Sequence, residues 1–157
     1  MYRRIYSKVN PNLLCHIIYE PEWMKDGDDV VRTNISDADE FLQSAHIYIP
    51  KEGHKFRPHI HNELIRQTNI TQEAWVVLSG LIRVILYDID GQLLEESILH
   101  PTYMSITFRG GHTYECLRDD TNVLEFKTGP YLGQEKDKEF IQEWTYIQQF
   151  KVENVVQ

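Results

Sequence analysis

Residues 73–99 read EAWVVLSGLIRVILYDIDGQLLEESIL. The apolar run 74–78 stops at Gly80, and runs 81–88 and 92–99 flank Ile89-Asp90-Gly91. The Asp-Gly step supplies the positive-φ residue that a tight hairpin needs. Short runs rich in Val and Ile, divided by glycine turns, predict consecutive strands. Working outward, similar runs occupy 13–19 (closed by Glu20-Pro21), 45–49 (closed by Pro50), 55–61 (after Gly53), 103–108, 113–118 and 122–128. The last three are separated by Gly110-Gly111 and by Asp119-Asp120. Eight or nine short strands with regular turn signals predict an all-β sandwich or barrel.

Two helices are expected beside the strands. Ser36, followed by Asp39 and Glu40, has the pattern of an N-cap with acidic first-turn residues, so a short helix is expected to about Gln43. Phe140, Ile141, Trp144, Ile147 and Phe150 recur at three- to four-residue intervals, which predicts an amphipathic helix over 136–150. No repeat or interdomain linker is visible. The 157 residues are expected to form one domain, with a barrel core over about 44–131.

Composition narrows the functional classes. The net charge is −8 and the isoelectric point about 5.3. Non-specific nucleic-acid binding needs clustered Lys and Arg, and a polybasic membrane anchor needs the same, so neither partner is expected. No run approaches the roughly 18 apolar residues of a membrane-spanning helix. The start, Met1-Tyr2-Arg3-Arg4, lacks the apolar stretch of a signal peptide. Cys15 and Cys116 are too few for a disulfide framework. A cytoplasmic protein acting on a small molecule fits these limits.

The chemistry concentrates in one constellation: Gly53-x5-His59-x-His61-x11-Glu73-x6-Gly80, followed by Gly110-Gly111-His112. In a strand, residues i and i+2 share a face, so His59 and His61 would project together and can share one metal. Glu73 opens the next strong strand and can add a carboxylate. His112 can close the site from across the barrel. Three imidazoles and a carboxylate suit one divalent transition metal (Fe, Mn, Ni, Zn or Cu) better than Ca or Mg.

At these residues the chain resembles the cupin superfamily. The resemblance implies a double-stranded β-helix, or jelly-roll barrel, whose metal is held by His59, His61, Glu73 and His112. Two departures stand out. Eleven residues, 62–72, separate His61 from Glu73, far more than is usual in the family, which makes Glu63 a rival ligand. Thr107 and Arg109 replace the usual Pro and Gly of the second motif, and Cys116 replaces its Asn. Over residues 55–140 the chain is similar to bacterial cupin-fold metalloproteins of the WbuC type. The carriers are Gly110-Gly111-His112, Glu125-Phe126-Lys127-Thr128-Gly129-Pro130-Tyr131 and Asp137-Lys138. Relatives of this kind imply a setting in polysaccharide and sugar-nucleotide metabolism.

The remaining residues divide between chemistry and packing. Glu125 and Lys127 lie one pleat apart. Either they enter the pocket as an acid–base group and an anion-binding group, or they sit on a solvated face while Leu124 and Phe126 fill the core. Tyr114 and Cys116 share a face with His112; Tyr114 is a candidate proton carrier and Cys116 a packing residue. Arg83 is a further candidate for binding an anion. His16, His46, His54 and His100 match no motif and are expected in surface or satisfied polar roles. The acidic run 26–29 lacks the spacing of a calcium loop.

Three functions follow as expectations. The first is a metal-dependent isomerase, epimerase or dioxygenase acting on a small, polar, anionic, carbohydrate-related substrate. The second is a metal-independent sugar-nucleotide isomerase or epimerase, with pocket histidines as acid and base. The third is a non-catalytic small-molecule-binding cupin. Edge strands that need cover make a homodimer expected.

Overall fold

The computed structural model describes residues 1–21 and 28–141. In chain order the strands are β1 (Tyr2–Tyr6), β2 (Leu14–Tyr19), β3 (Val31–Asn34), β4 (Ala45–Tyr48), β5 (Glu73–Ser79), β6 (Ile82–Tyr87), β7 (Leu93–Leu99), β8 (Met104–Thr107), β9 (Gly111–Cys116) and β10 (Asn122–Lys127). One short helix follows, α1 (Gln134–Asp137). Five strands form a sheet in the order β1-β2-β8-β5-β10 and three form a second in the order β7-β6-β9, while β3 and β4 make a separate ribbon. Every paired neighbour is antiparallel. The all-β expectation holds.

Alternation along the strands explains the layering. β2 is buried from Leu14 to Ile18, on both faces. Ile18 packs with Ile5 and Val77 of its own sheet and with Ile82, Val84, Leu86 and Leu99 of the second, so the two sheets meet face to face. On the opposite face, Leu14 and Ile17 pack with Ala74, Ile106 and Phe108 beneath Ile35 and Leu42. The five-stranded sheet is therefore the middle layer, which is why β2 and β8 are buried on both faces along most of their length. The β6–β7 hairpin turns at Gly91, with φ at +83°, as the Asp-Gly step predicts.

Both helix expectations need correction. Residues 35–44 form turns and bends. Ser36 Oγ accepts from the backbone N–H of Ser44 at 3.0 Å, clipping a loop shut instead of capping a helix. The acidic residues are engaged elsewhere: Asp37 takes a two-pronged bond from Arg4, and Glu40 accepts from Gln72 and Arg109. These tertiary bonds outweigh a weak local preference. At the other end, helix is confined to Gln134–Asp137, residues 138–141 are not helical, and the remainder of the expected 136–150 helix lies outside the described residues.

The strand expected at 55–61 is also absent: residues 54–68 have no regular structure, and every residue from 51 to 71 is exposed. A strand persists only where a neighbouring ladder takes its backbone groups and a core takes one of its faces. Here Pro58 lacks an N–H and Ile60 is 95% exposed, so neither condition is met. Two strands escaped the sequence reading. β1 buries only Ile5, and β3 is a four-residue polar segment with no buried residue.

Candidate functional site

Pairing register defines which side chains face the gap between the sheets, because directly paired residues share a face. Lys127 pairs with Glu73 and Glu125 with Trp75; Glu73 in turn pairs with Thr107 and Trp75 with Ser105. His16 pairs with Thr107 and Ile18 with Ser105. All of these lie on the face that carries Ile18 and Val77 toward the second sheet. Opposite them, His112 pairs with Leu86 and Tyr114 with Val84, both core residues of that gap. The sandwich therefore has an apolar interior with a polar patch at one end.

Glu73 and His112 meet across this gap, Oε1 to Nε2 at 3.1 Å, with side chains 12% and 25% exposed. The Trp75 indole N–H donates to the same Glu73 oxygen at 2.8 Å. Burial alone would raise the Glu73 carboxyl, but His112, Trp75 and Lys127 together hold it below the usual carboxylate range. Tyr114 stacks on Trp75 at 4.0 Å, with the ring planes 9° apart, and its hydroxyl meets Ser105 Oγ at 2.9 Å. Burial, aided by the charges of Glu73 and Glu125, pushes the Tyr114 phenol well above its ordinary value. It therefore stays protonated at neutral pH and serves as a hydrogen-bonding group, not a base.

Register places both charged residues of β10 on the inner face, but only Lys127 is half-buried there and Glu125 stays exposed. Leu124 and Phe126 are 45% and 51% exposed, whereas Lys127 reaches Asp137 at 2.9 Å with the Tyr131 ring 4.5 Å from its ammonium. Arg83 does not join them. It occupies the other face of β6 and pairs with Glu115 at 2.8 Å, both side chains largely exposed.

His59 and His61 lie on the exposed segment, with ring centroids 5.1 Å apart and His59 Nδ1 2.9 Å from the Arg57 carbonyl. Among the described residues no three His, Cys, Asp or Glu side chains are grouped to hold an ion, so the four expected ligands are not gathered. Glu63 is exposed as well. Among these described residues, Glu73 and His112 alone come together, as a hydrogen-bonded pair. His112 Nδ1 is buried without a hydrogen-bond partner, whereas a ligating imidazole ordinarily has its second nitrogen bonded.

Of the other histidines, His54 and His100 are exposed, and the rest are held by packing. His16 is fully buried between Thr107 Oγ1 at 3.1 Å and the Tyr87 carbonyl at 2.8 Å. His46 meets the Tyr19 hydroxyl, and His100 packs edge-on against Tyr103. Sequence reasoning missed Trp75, Ser105 and Thr107 at the site. The period-two rule applied from Glu73 would have placed Trp75 there.

The corner before His112 also depends on glycine. Gly110 has φ at +79°, and a Cβ there would collide with the Tyr87 carbonyl and crowd His16 Nε2. Gly110→Ala is expected to lower stability by more than about 1 kcal/mol; an unchanged denaturation midpoint would show that the corner relaxes freely.

No protein-family model matches the chain, and neither a curated protein nor a solved structure matches it. No described helix is long and apolar enough to cross a membrane.

Proposed function

We propose that the chain is a cupin-fold protein that acts on a small, polar, anionic, carbohydrate-related molecule bound at the polar end of the gap between its sheets. The observation that carries this reading is the meeting of Glu73 and His112 across the gap, with Lys127 paired beside Glu73 on the inner face; Glu125 lies on the same face but is exposed. Glu73 and His112 form a hydrogen-bonded pair able to take and return a proton. Trp75 orients the Glu73 oxygen, the Trp75–Tyr114 stack supplies an aromatic wall, and Lys127 holds the anionic group. In the metal-dependent form of this reading His59, His61, Glu73 and His112 hold one divalent metal (Fe, Mn, Ni, Zn or Cu). Bound there, it would polarise a substrate oxygen or activate water. A homodimer formed through edge strands belongs to the same proposal.

A metal-independent isomerase or epimerase is favoured by a different observation. The Glu73–His112 pair is assembled, whereas His59 and His61 stand on an exposed segment. Elemental analysis of protein purified without added metal separates the two. The metal-dependent form expects about one ion per chain, lost in His61→Ala and in Glu73→Ala. Substoichiometric metal in the wild type would exclude it and leave the acid–base form. Metal lost in His61→Ala but kept in Glu73→Ala would transfer the carboxylate role to Glu63.

A further inference from the structure

The chain beyond β10 crosses the polar end of the sandwich. It leaves the middle sheet at Lys127, turns through Gly129-Pro130, and lays Tyr131 and Asp137 against the Lys127 ammonium. It then reaches the second sheet, where Ile141 lies so close over Gly111 that a Cβ on that glycine would not fit, and touches the space beside Gly91. Residues 131–141 thus form a strap between the two sheets. Beside it lies an open pocket of about 530 Å³, lined by Lys136, Asp137 and Ile141 of the strap and by Phe108, Arg109 and Gly111 of the β8–β9 corner. Gly111 adjoins His112, and Asp137 touches Lys127, so the pocket borders the candidate site.

The contact between strap and sheet is an ion pair withdrawn from water. Lys127 and Asp137 are 20% and 10% exposed at their side chains. Separating such a pair leaves two poorly hydrated charges, which is costly unless a new partner replaces the old one. Lys127 does not itself line the pocket, but Asp137, its partner, does; an anion in the pocket therefore stands beside the Asp137 carboxylate, and by taking its place on Lys127 it would let the strap lift and return Asp137 to water. The Asp137 carboxylate already shows what the Lys127 position accepts: a single anionic oxygen at hydrogen-bond distance, beneath an aromatic ring. Carboxylate and phosphate oxygens share this chemistry.

We propose that Lys127 is an anion receptor whose resident occupant is the chain's own Asp137, and that a ligand's anionic group displaces Asp137 and releases the 131–141 strap. The inference rests on the functional reading above only for the anionic character of the ligand; it requires neither a metal nor a reaction.

The test uses the full chain after treatment with chelator, titrated separately with inorganic phosphate and with acetate, so its failure is distinct from a failure to bind metal. Binding is followed by NMR, and amide hydrogen exchange is measured over 131–141. Either anion is expected to bind and to speed exchange across the strap, the tighter one identifying a phosphoryl or a carboxylate ligand. Asp137→Asn is expected to bind that anion about tenfold more tightly and to exchange faster without it. Lys127→Gln and Lys127→Met are expected to lose binding while their melting midpoints show that they remain folded. The proposal is overturned if neither anion binds, if Asp137→Asn binds no more tightly than the wild type, or if both folded Lys127 variants bind equally well.

Discussion

His16→Ala is expected to lower stability by about 2–5 kcal/mol, a drop in melting midpoint on the order of 10 °C for a domain of this size. The ring is fully buried, so its removal leaves a cavity. It also strips a hydrogen bond from the Tyr87 carbonyl and another from the Thr107 hydroxyl, and a buried polar group left unpaired costs about 1–3 kcal/mol. Because Thr107 belongs to the middle sheet and Tyr87 to the second sheet, the imidazole pins one layer to the other. The Tyr87 carbonyl can only accept, so Nε2 carries the proton and Nδ1 accepts from Thr107.

The same residue makes the fold sensitive to acid. Burial lowers the His16 value from 6.5 to about 4, despite the opposing hydrogen bond to Tyr87. Between those values the unfolded chain binds a proton that the folded chain refuses, so stability falls as pH falls. The His16 contribution is fully present above about pH 6.5 and is lost as pH drops toward 4. At about 1.4 kcal/mol per pH unit the full span is worth roughly 3 kcal/mol. Urea denaturation at pH 7 and pH 5 should therefore show a larger loss in the wild type than in His16→Gln, by roughly 2 kcal/mol. Equal losses would mean that another group drives the acid sensitivity.

Much of the sandwich was legible because most strands obey one of two simple patterns. β2 is apolar apart from His16 because both of its faces are covered, and β6 is apolar apart from Arg83. β1 and β3 were not legible: their side chains are mostly polar or exposed, and they are strands only because a partner strand takes their backbone groups. Arg3, for example, is occupied by Glu95, Ser97 and Glu20, contacts that no local window contains. The opposite error arose at 55–61, where alternation suggested a strand that has neither ladder nor core. Alternation is a necessary sign of a half-buried strand, but the buried half must exist elsewhere in the fold.

The site divides in the same way. The spacing of Glu73 and His112 pointed to facing strands, and the two side chains do meet. The direction of Glu125 and Lys127 was undecidable from sequence, since alternation fits either face of an edge strand. Register puts both on the face that carries Val77 and Trp75, yet only Lys127 is half-buried there while Glu125 is exposed. Their apolar neighbours Leu124 and Phe126 then face outward. Asp137 was visible only as part of an Asp-Lys pair; its contact with Lys127 depends on the turn at Gly129-Pro130.

Asp88→Ala is the second substitution with a large expected effect, about 3–5 kcal/mol. Asp88 follows β6 and is 2% exposed. Its carboxylate accepts the backbone N–H groups of Lys8 at 2.6 Å, Val9 at 3.3 Å and Ile89 at 2.8 Å. Burial pushes its ionisation up, but the hydrogen bonds from Ser7, Ile89, Lys8 and Val9 outweigh this and hold it below the usual carboxylate range. Its stabilisation is therefore present above about pH 4 and is lost as pH falls through the depressed folded value. The bonds tie the β1–β2 connection to the end of the second sheet, directly over Cys15, whose Sγ lies 3.9 Å from Asp88 Oδ1. Burial and the Asp88 charge push the Cys15 thiol up to about 11, so in the wild type it should react far more slowly with a thiol reagent than exposed Cys116. In Asp88→Ala the loop loses its anchor, and Cys15 labelling should accelerate at least about tenfold even under conditions where the chain stays folded. The thiol readout matters because it separates local release of the 7–9 loop from global unfolding. If the variant is less stable but Cys15 labels at the wild-type rate under native conditions, Asp88 supports the fold without anchoring that loop.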